Sequence, residues 1–214
     1  MKKVILAVSM ALVSSLFVSA QTADDYKKVE VYVGYSNGQI DTGIDSGNSA
    51  VDFFRERENF NGFNVSGVYN VSRYVGIKGD FSGTYNSKRF TGEVGGPSIV
   101  SFKNTNSLYN FLGGVQVKDN SKKGVFKPFG HVLVGAGHAR AKFSDFSCTP
   151  SAACPPTFPV GTFSETGFAA AIGGGLDFRL NNRIQIRAIQ FDYNPVRLGG
   201  ETQNNLRIGA GIVF

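Results

Sequence analysis

The sequence is poor in the residues that build metal centres and many catalytic sites. Its 214 residues include two cysteines, two histidines and no tryptophan. The two histidines, His131 and His138, are separated by an odd number of positions, which places them on opposite faces of a regular strand. A zinc site needs about four ligands, so the sequence gives little support to a metal site or to histidine-based catalysis.

Long apolar runs are also missing after residue 20. No apolar run in that part of the sequence approaches the ~20 residues that a helix needs to span a bilayer. The start of the chain is different: Lys2 and Lys3 precede a short apolar stretch that ends in small residues at Ala20. This is the pattern of a secretory signal peptide rather than of a membrane anchor. We expect residues 1–20 to be removed on export and 21–28 to form a short periplasmic segment, so any membrane crossing uses strands.

A strong charge of either sign is absent too. Without Lys2 and Lys3, 20 basic residues face 16 acidic ones, a net charge of +4. This small, scattered excess does not indicate nucleic-acid binding. Glycine and aromatics are instead abundant, with 27 Gly, 19 Phe and 8 Tyr at a mean hydropathy of −0.08. Such a composition is typical of strands whose apolar and polar faces cancel in the average.

The C-terminal residues carry the clearest strand pattern. Five apolar residues alternate with polar or small ones: Leu206, Ile208, Ala210, Ile212 and Phe214. In a soluble protein, an exposed apolar edge strand promotes aggregation. In a membrane barrel the apolar face meets lipid, and the last strand closes the ring by pairing with the first.

The same two-residue period predicts eight strands in all. They begin near Val29, Phe63, Val75, Tyr109, Val125, Phe168, Ile184 and Asn204. In the seventh strand the apolar phase changes at Ala188-Ile189, which predicts a β-bulge that keeps Arg187, Gln190 and Asp192 on one polar face.

The predicted connections alternate in length. Those after strands two, four and six are short: 72–73, a polar turn at 118–124, and 181–182. Four others are long and polar: 37–59, 86–105, 144–164 and 194–203. Short turns at one end and long loops at the other are typical of an outer-membrane barrel, with the long loops outside the cell. A soluble ligand-binding barrel shows the same alternation, but the signal peptide, the final strand and the loop asymmetry favour the membrane.

Charged residues recur on the polar phase of the predicted strands. They are Glu30, Lys78, Asp80, Asp177, Arg179, Arg187, Asp192 and Arg207. Eight strands enclose a bore that side chains just fill, and buried charges must pair. The sequence therefore predicts a salt-bridged interior and excludes a wide pore, while a narrow, gated ion path through the same residues stays an alternative.

The strand count, the loop asymmetry and the final Phe214 resemble the outer membrane protein A-like, porin-like family of small β-barrels. The resemblance implies an all-β fold, an eight-stranded antiparallel up-and-down transmembrane barrel over residues 29–214 in the bacterial outer membrane. It implies that Phe214 is the signal read by the barrel-assembly machinery. Without tryptophan, other aromatics must form the interfacial girdles. The candidates are Tyr26, Tyr32, Tyr35, Tyr69, Tyr74, Phe81, Tyr85 and Tyr109.

For function, the resemblance implies a structural or surface-interaction role, and we expect a monomer without a cofactor. A small-solute or ion channel is the alternative. A lipid A-modifying enzyme is a weaker one, because no His-x-Ser pair occurs. The run Gly173-Gly174-Gly175 is not followed by a helix pattern, so a nucleotide-binding loop is not indicated.

The long connections hold two further candidate features. Cys148 and Cys154 are close in sequence, and in an oxidising compartment such a pair favours a local disulfide over a metal site. Basic residues in or beside these connections could contact lipopolysaccharide phosphates, although nearby acids leave an ordinary solvated surface as the alternative. The basic residues are Arg55, Arg57, Lys88, Arg89, Lys103, Lys142 and Arg197.

Overall fold

A computed structural model describes residues 26–41, 57–93, 99–121, 123–149 and 161–214. These residues form eight strands: β1 (Val29–Asp41), β2 (Arg57–Asn70), β3 (Val75–Glu93), β4 (Ile99–Lys118), β5 (Phe126–Thr149), β6 (Gly161–Arg179), β7 (Gln185–Leu198) and β8 (Glu201–Val213). The strands pair antiparallel in chain order, and β8 pairs with β1 to close the barrel. The predicted eight-stranded up-and-down barrel is confirmed. Among the described residues, no helix is long and apolar enough to cross a membrane.

Alternation decides which side chains face lipid. Along β1, Val33 and Tyr35 are exposed on the outside, whereas Tyr32 and Ser36 are buried within the barrel. The same alternation holds around the ring, so apolar residues form an outer belt and the buried charged residues lie in the bore. Tyr32 was predicted to lie in an aromatic girdle, and this is wrong. It shares the phase of Glu30 and lies inside, with its ring centroid 4.4 Å from the Arg187 guanidinium.

The predicted β-bulge in β7 is confirmed. Leu176 pairs with Ile189 but the next residue, Asp177, pairs with Arg187, so β7 holds one extra residue there. The register with β8 shifts at the same place, between Arg187 and Gln190. The bulge keeps Arg187, Gln190 and Asp192 inside, where all three are buried.

Where the structure describes the predicted long connections, they are largely strand. β1 continues to Asp41 and β5 to Thr149, beyond the apolar alternation that marked their inner parts. The expected loop 194–203 is wrong, because β7 and β8 are joined by Gly199-Gly200 alone. Both glycines have positive φ, 59° and 88°, which a two-residue hairpin turn requires and glycine adopts without strain.

One side of the barrel rises above the other. Strands β3 to β6 hold 19 to 24 residues and the other four hold 13 or 14. The β2–β3 pairing extends no further than Asn61 with Tyr85, and the β6–β7 pairing no further than Ala169 with Val196. The ends of β3 to β6 therefore form a four-stranded protruding sheet, made of residues 86–93, 99–107, 140–149 and 161–166.

Candidate functional site

The charges predicted to line the bore all lie on its inner face. Seven of them are at most 5% exposed: Glu30, Lys78, Asp80, Asp177, Arg187, Asp192 and Arg207. Arg179 is half-buried at the periplasmic end. The lysine that joins them, Lys118, was missed, because residues 118–124 were assigned to a polar turn. Its signal was present in the sequence, since Lys118 continues the inward phase of Asn110 and Gln116.

Asp177 is the centre of the first group of charges. Its carboxylate accepts hydrogen bonds from Lys118 Nζ at 2.8 Å and from Arg187 Nε and Nη2 at 2.8 and 3.1 Å. Lys118 also donates to both Glu30 oxygens, at 2.9 and 3.0 Å. Four strands, β1, β4, β6 and β7, are thus tied together across the bore.

Arg207 is the centre of the second group. It donates to Asp80 Oδ1 at 2.7 Å and to Asp192 Oδ2 at 2.8 Å. Lys78 Nζ lies 3.7 Å from Asp80 Oδ2, and His131 Nε2 lies 2.9 Å from Asp192 Oδ1, at ion-pair distance but outside hydrogen-bond geometry. This group joins β3, β5, β7 and β8.

Gln190 links the two groups of charges. Its Oε1 accepts from Arg187 Nη1 at 2.8 Å, and its Nε2 donates to Asp192 Oδ2 at 2.7 Å. Within the two groups, four carboxylates face four Lys or Arg side chains, so their charges balance. A fifth buried cation, Lys127, donates instead to the backbone oxygens of Asp119 and Ser121, at 2.8 and 2.7 Å. Each of the four carboxylates lies within ion-pair distance of a cation. This arrangement suits a structural cross-brace better than proton transfer, which needs a carboxylate free to take up a proton.

Part of the bore is apolar, which the sequence pattern did not predict. Leu108, Leu112, Leu133, Ala169, Ala171 and Val196 form one buried cluster on the inner faces of β4 to β7. The apolar phase of these strands points outward, so inward leucines and alanines do not stand out from the pattern. The cluster lies between the two groups of charges and the ends of β4 to β7 that are opposite the segment before β1.

Above this cluster lies a cavity of about 890 Å³, the outer cup. Ile40, Phe60, Asn104, Leu108 and Phe163 are among the residues that line it. Its walls are the inner face of the protruding sheet on one side and the ends of β1 and β2 on the other. A second, much smaller cavity at the periplasmic end, about 20 Å³, shares none of these residues.

Four phenylalanines cross the inner face of the protruding sheet, one on each strand. Ring centroids are 5.3 Å apart between Phe90 and Phe102, 6.2 Å between Phe102 and Phe143, and 6.1 Å between Phe143 and Phe163. We call this row the phenylalanine ladder. The pairing of the four strands brings the rings together, and contacts at these separations favour keeping them there.

The periplasmic end is covered by the segment before β1. Tyr26 forms a β-bridge with Ser121, and Lys27 N donates to Asn120 O at 3.1 Å. On the nearby turn, a hydrogen bond from Arg73 holds the pKa of Asp119 well below its usual value. Burial lowers the pKa of Lys27.

The remaining predicted residues are dispersed. His138 faces outward, with Nδ1 2.7 Å from Thr166 Oγ1, while His131 is inside. The described residues contain no group of His, Cys, Asp or Glu suited to a metal ion. Cys148 lies at the C-terminal end of β5 and is not a free thiol. Cys154 lies outside the described residues, so the disulfide stays a prediction.

The basic residues of the connections divide between the two faces of the wall. Lys88 lies on the inner face, 2.6 Å from Glu58 Oε1, so it does not point towards surrounding lipopolysaccharide. Arg89, Lys103 and Lys142 share the outer face of the protruding sheet. Arg55 lies outside the described residues.

Phe214 closes the ring through its backbone. Its N donates to Val31 O at 2.8 Å, and its O accepts from Val31 N at 3.0 Å.

We expect deletion of Phe214 to lower the assembled fraction, because it removes both hydrogen bonds, worth roughly 1–3 kcal/mol together, and the terminal aromatic. Heat-modifiable migration on gels after expression in cells measures this. Phe214→Tyr keeps both features and should assemble normally; wild-type assembly without Phe214 would contradict the assignment.

Comparisons with known proteins agree with this architecture. One similar structure is that of Ail, the attachment invasion locus protein of Yersinia pestis, in complex with the heparin analogue sucrose octasulfate. The sequence of Ail is 20% identical to that of this chain. That comparison covers 87% of this chain and 97% of Ail, with a TM-score of 0.52. Neisserial surface protein A (NspA) is 8% identical over 89% of this chain and 98% of that one, also with a TM-score of 0.52. These likenesses show the fold.

A comparison with curated protein sequences gave no match. The model of one family, described as the outer membrane protein beta-barrel domain, matches residues 9–214. With its closed eight-stranded barrel and lipid-facing apolar belt, the chain belongs to the outer membrane protein β-barrel domain family.

Proposed function

We propose that this protein is a surface-interaction protein of the bacterial outer membrane and binds partners through its protruding sheet. Membership of the family implies the outer membrane. The proposal includes export by a signal peptide at residues 1–20, insertion by the barrel-assembly machinery and a monomeric barrel without a cofactor. The observation that carries it is the sheet itself, since anchoring alone does not need strands that extend beyond the rest of the rim.

The free edges of the protruding sheet support a binding role. In the described part of the chain, residues 161–166 of β6 pair with β5 and have no strand on their other side. Most of them are exposed. An open edge presents unpaired backbone N–H and C=O groups, to which an extended segment of a partner can add as a further strand.

The outer face of the sheet supports contact with lipopolysaccharide. Arg89, Lys103 and Lys142 lie on this face, with Asp145 as the nearby acid at 3.7 Å from Arg89. Clustered guanidinium and ammonium groups bind phosphate well. These three predicted residues stay in the candidate lipopolysaccharide contact, and the inward-facing Lys88 is left out of it.

The interior argues against the other candidate functions. A channel needs a continuous path, but the outer cup ends on Leu108 and on the buried cluster that contains Leu133. An enzyme acting on lipid A needs a reactive group with access to lipid, whereas the buried carboxylates are paired inside the bore. Surface interaction therefore fits the described residues best.

The names of the similar structures point the same way. One is an attachment invasion locus protein and the other a surface protein. At 20% and 8% identity they share the fold, and their roles enter here as support for a proposal about this chain.

Trimming the protruding sheet tests the proposal. Ser87 pairs with Thr105, and Lys142 pairs with Thr162, so each pair can be joined by an Asn-Gly turn that matches strand twist. We expect this trimmed barrel to insert normally, because its lipid-facing belt is intact, but to lose adhesion. Adhesion of expressing bacteria to cultured epithelial cells measures the loss, with non-expressing cells as the baseline and heat-modifiable migration as the folding control.

Two results would contradict the proposal. One is a trimmed, correctly folded barrel that adheres as well as the wild type. The other is wild-type adhesion no greater than that of non-expressing cells.

A further inference from the structure

The outer cup has the size and shape of a ligand site. Its volume of about 890 Å³ lies within the roughly 300–1,000 Å³ of small-molecule sites. Leu108 forms its floor and is itself packed on the buried apolar cluster. The cup therefore has a rigid base and opens towards the outside of the cell.

Flat apolar surface is available within the cup before any ligand arrives. Phe60 and Phe163 line it, and Phe163 is 59% exposed. Phe163 is also the end of the phenylalanine ladder, with Phe143 behind it at 6.1 Å. An exposed ring held in place by its neighbours offers a fixed stacking platform, and binding there costs little side-chain entropy.

Neutral hydrogen-bonding groups line the same cavity. The side-chain amides of Asn104, Asn106 and Gln203 contribute to its wall. Asn104 Oδ1 is buried and has no hydrogen-bond partner among the described residues. Amide groups on a cavity wall can donate to and accept from the hydroxyl groups of a bound molecule.

Four charged residues line the cup, Asp41, Glu58, Arg140 and Glu165, and each of the three carboxylates has a partner within the protein. Glu58 pairs with Lys88 at 2.6 Å, Asp41 accepts from Asn204 N at 3.1 Å, and Glu165 accepts from Gly199 N. A charged ligand would have to compete with these contacts, whereas an uncharged ligand can leave them in place. A wholly apolar ligand would bury the amides without partners, at a cost of about 1–3 kcal/mol for each.

We propose that the outer cup binds an uncharged oligosaccharide. A sugar ring presents an apolar C–H face that stacks on Phe163, and hydroxyl groups around its edge that bond to the amides of Asn104, Asn106 and Gln203. The proposal rests on the surface-interaction role and names the class of ligand for it. The free edge of β6 and the outer basic face are not required for this binding.

Titration calorimetry with cellotriose and N,N′,N″-triacetylchitotriose, two uncharged trisaccharides, tests the inference. The mature protein is placed in phosphatidylcholine nanodiscs, which contain no lipopolysaccharide, and empty nanodiscs give the background. We expect at least one trisaccharide to bind with a Kd near 1 mM or tighter, without dependence on salt because the ligand carries no charge.

Two phenylalanines of β6 provide a matched pair of variants. Phe163 and Phe168 are both 59% exposed, but Phe163 lines the cup and Phe168 faces lipid. Phe163→Ala should weaken trisaccharide binding by roughly tenfold, and Asn104→Ala should weaken it as well. Phe168→Ala should bind like the wild type.

The inference is overturned if neither sugar binds the wild type at about 10 mM, or if Phe163→Ala and Phe168→Ala bind equally well. If the neutral dye 1-N-phenylnaphthylamine binds in the cup and neither sugar does, the cavity is assigned to apolar ligands instead. Adhesion that depends on the protruding sheet but not on sugar would remove this inference and leave the proposed function standing.

Discussion

Asp177→Ala should lower the free energy of unfolding of the barrel by about 3–5 kcal/mol, the cost of leaving a buried ion without its partner. Asp177 receives Lys118 at 2.8 Å and Arg187 at 2.8 and 3.1 Å, and all three side chains are buried. Without the carboxylate, two cations remain in the bore against Glu30 alone in that group. Urea unfolding in lipid vesicles, followed by heat-modifiable migration, measures the loss.

Asp119→Ala is the matched control. Asp119 also pairs with an arginine, Arg73, at 2.9 Å, but both side chains are more than 40% exposed. Exposed pairs contribute about 0–1 kcal/mol, so this variant should unfold almost like the wild type. Asp177→Asn, which keeps the shape and removes the charge, should resemble Asp177→Ala. Equal stability of Asp177→Ala and Asp119→Ala would contradict the cross-brace.

The fold was largely predictable from the sequence because each strand crosses two environments. Lipid outside and a narrow bore inside require opposite residue types at successive positions, and the resulting alternation is visible wherever both environments are present. The β7 bulge was predictable for the same reason, since the phase change at Ala188-Ile189 must be absorbed by one extra residue.

The protruding sheet was not predictable by the same reasoning. Above the bilayer both faces of the wall meet water, so Asn86, Ser87 and Lys88 carry no alternation and were assigned to a loop. The ladder made by Phe90, Phe102 and other phenylalanines was missed as well, because the rings come from four strands and their proximity depends on register.

The partners inside the bore were only partly predictable. Phase alone placed Glu30 and Asp177 on the inner side, but it cannot say which charges meet. The Lys118 contacts with both carboxylates depend on how far each strand is shifted against its neighbours around the closed ring.

The two-residue turn at Gly199-Gly200 carried a usable signal, since paired glycines favour a tight hairpin.

Gly114→Ala should destabilise the barrel strongly, whereas Gly113→Ala on the same strand should not. A Cβ at Gly114 would lie 2.1 Å from Val132 O and 2.9 Å from Leu133 Cα, both backbone atoms of β5. Because β5 is fixed by its ladders to β4 and β6, it cannot move aside at low cost. We expect a loss at or above the roughly 1–3 kcal/mol typical of overpacking.

Gly113 points outward, and the nearest atom to a Cβ there, apart from its chain neighbours, is Lys78 O at 3.9 Å. Gly113→Ala should therefore be neutral, or stabilising by about 0.4–1 kcal/mol through the unfolded chain. Urea unfolding of both variants in the same vesicles gives the comparison. Unfolding of Gly114→Ala and Gly113→Ala at the same urea concentration would contradict this prediction. It would mean that the close approach of β4 and β5 at Gly114 does not limit the stability of the barrel.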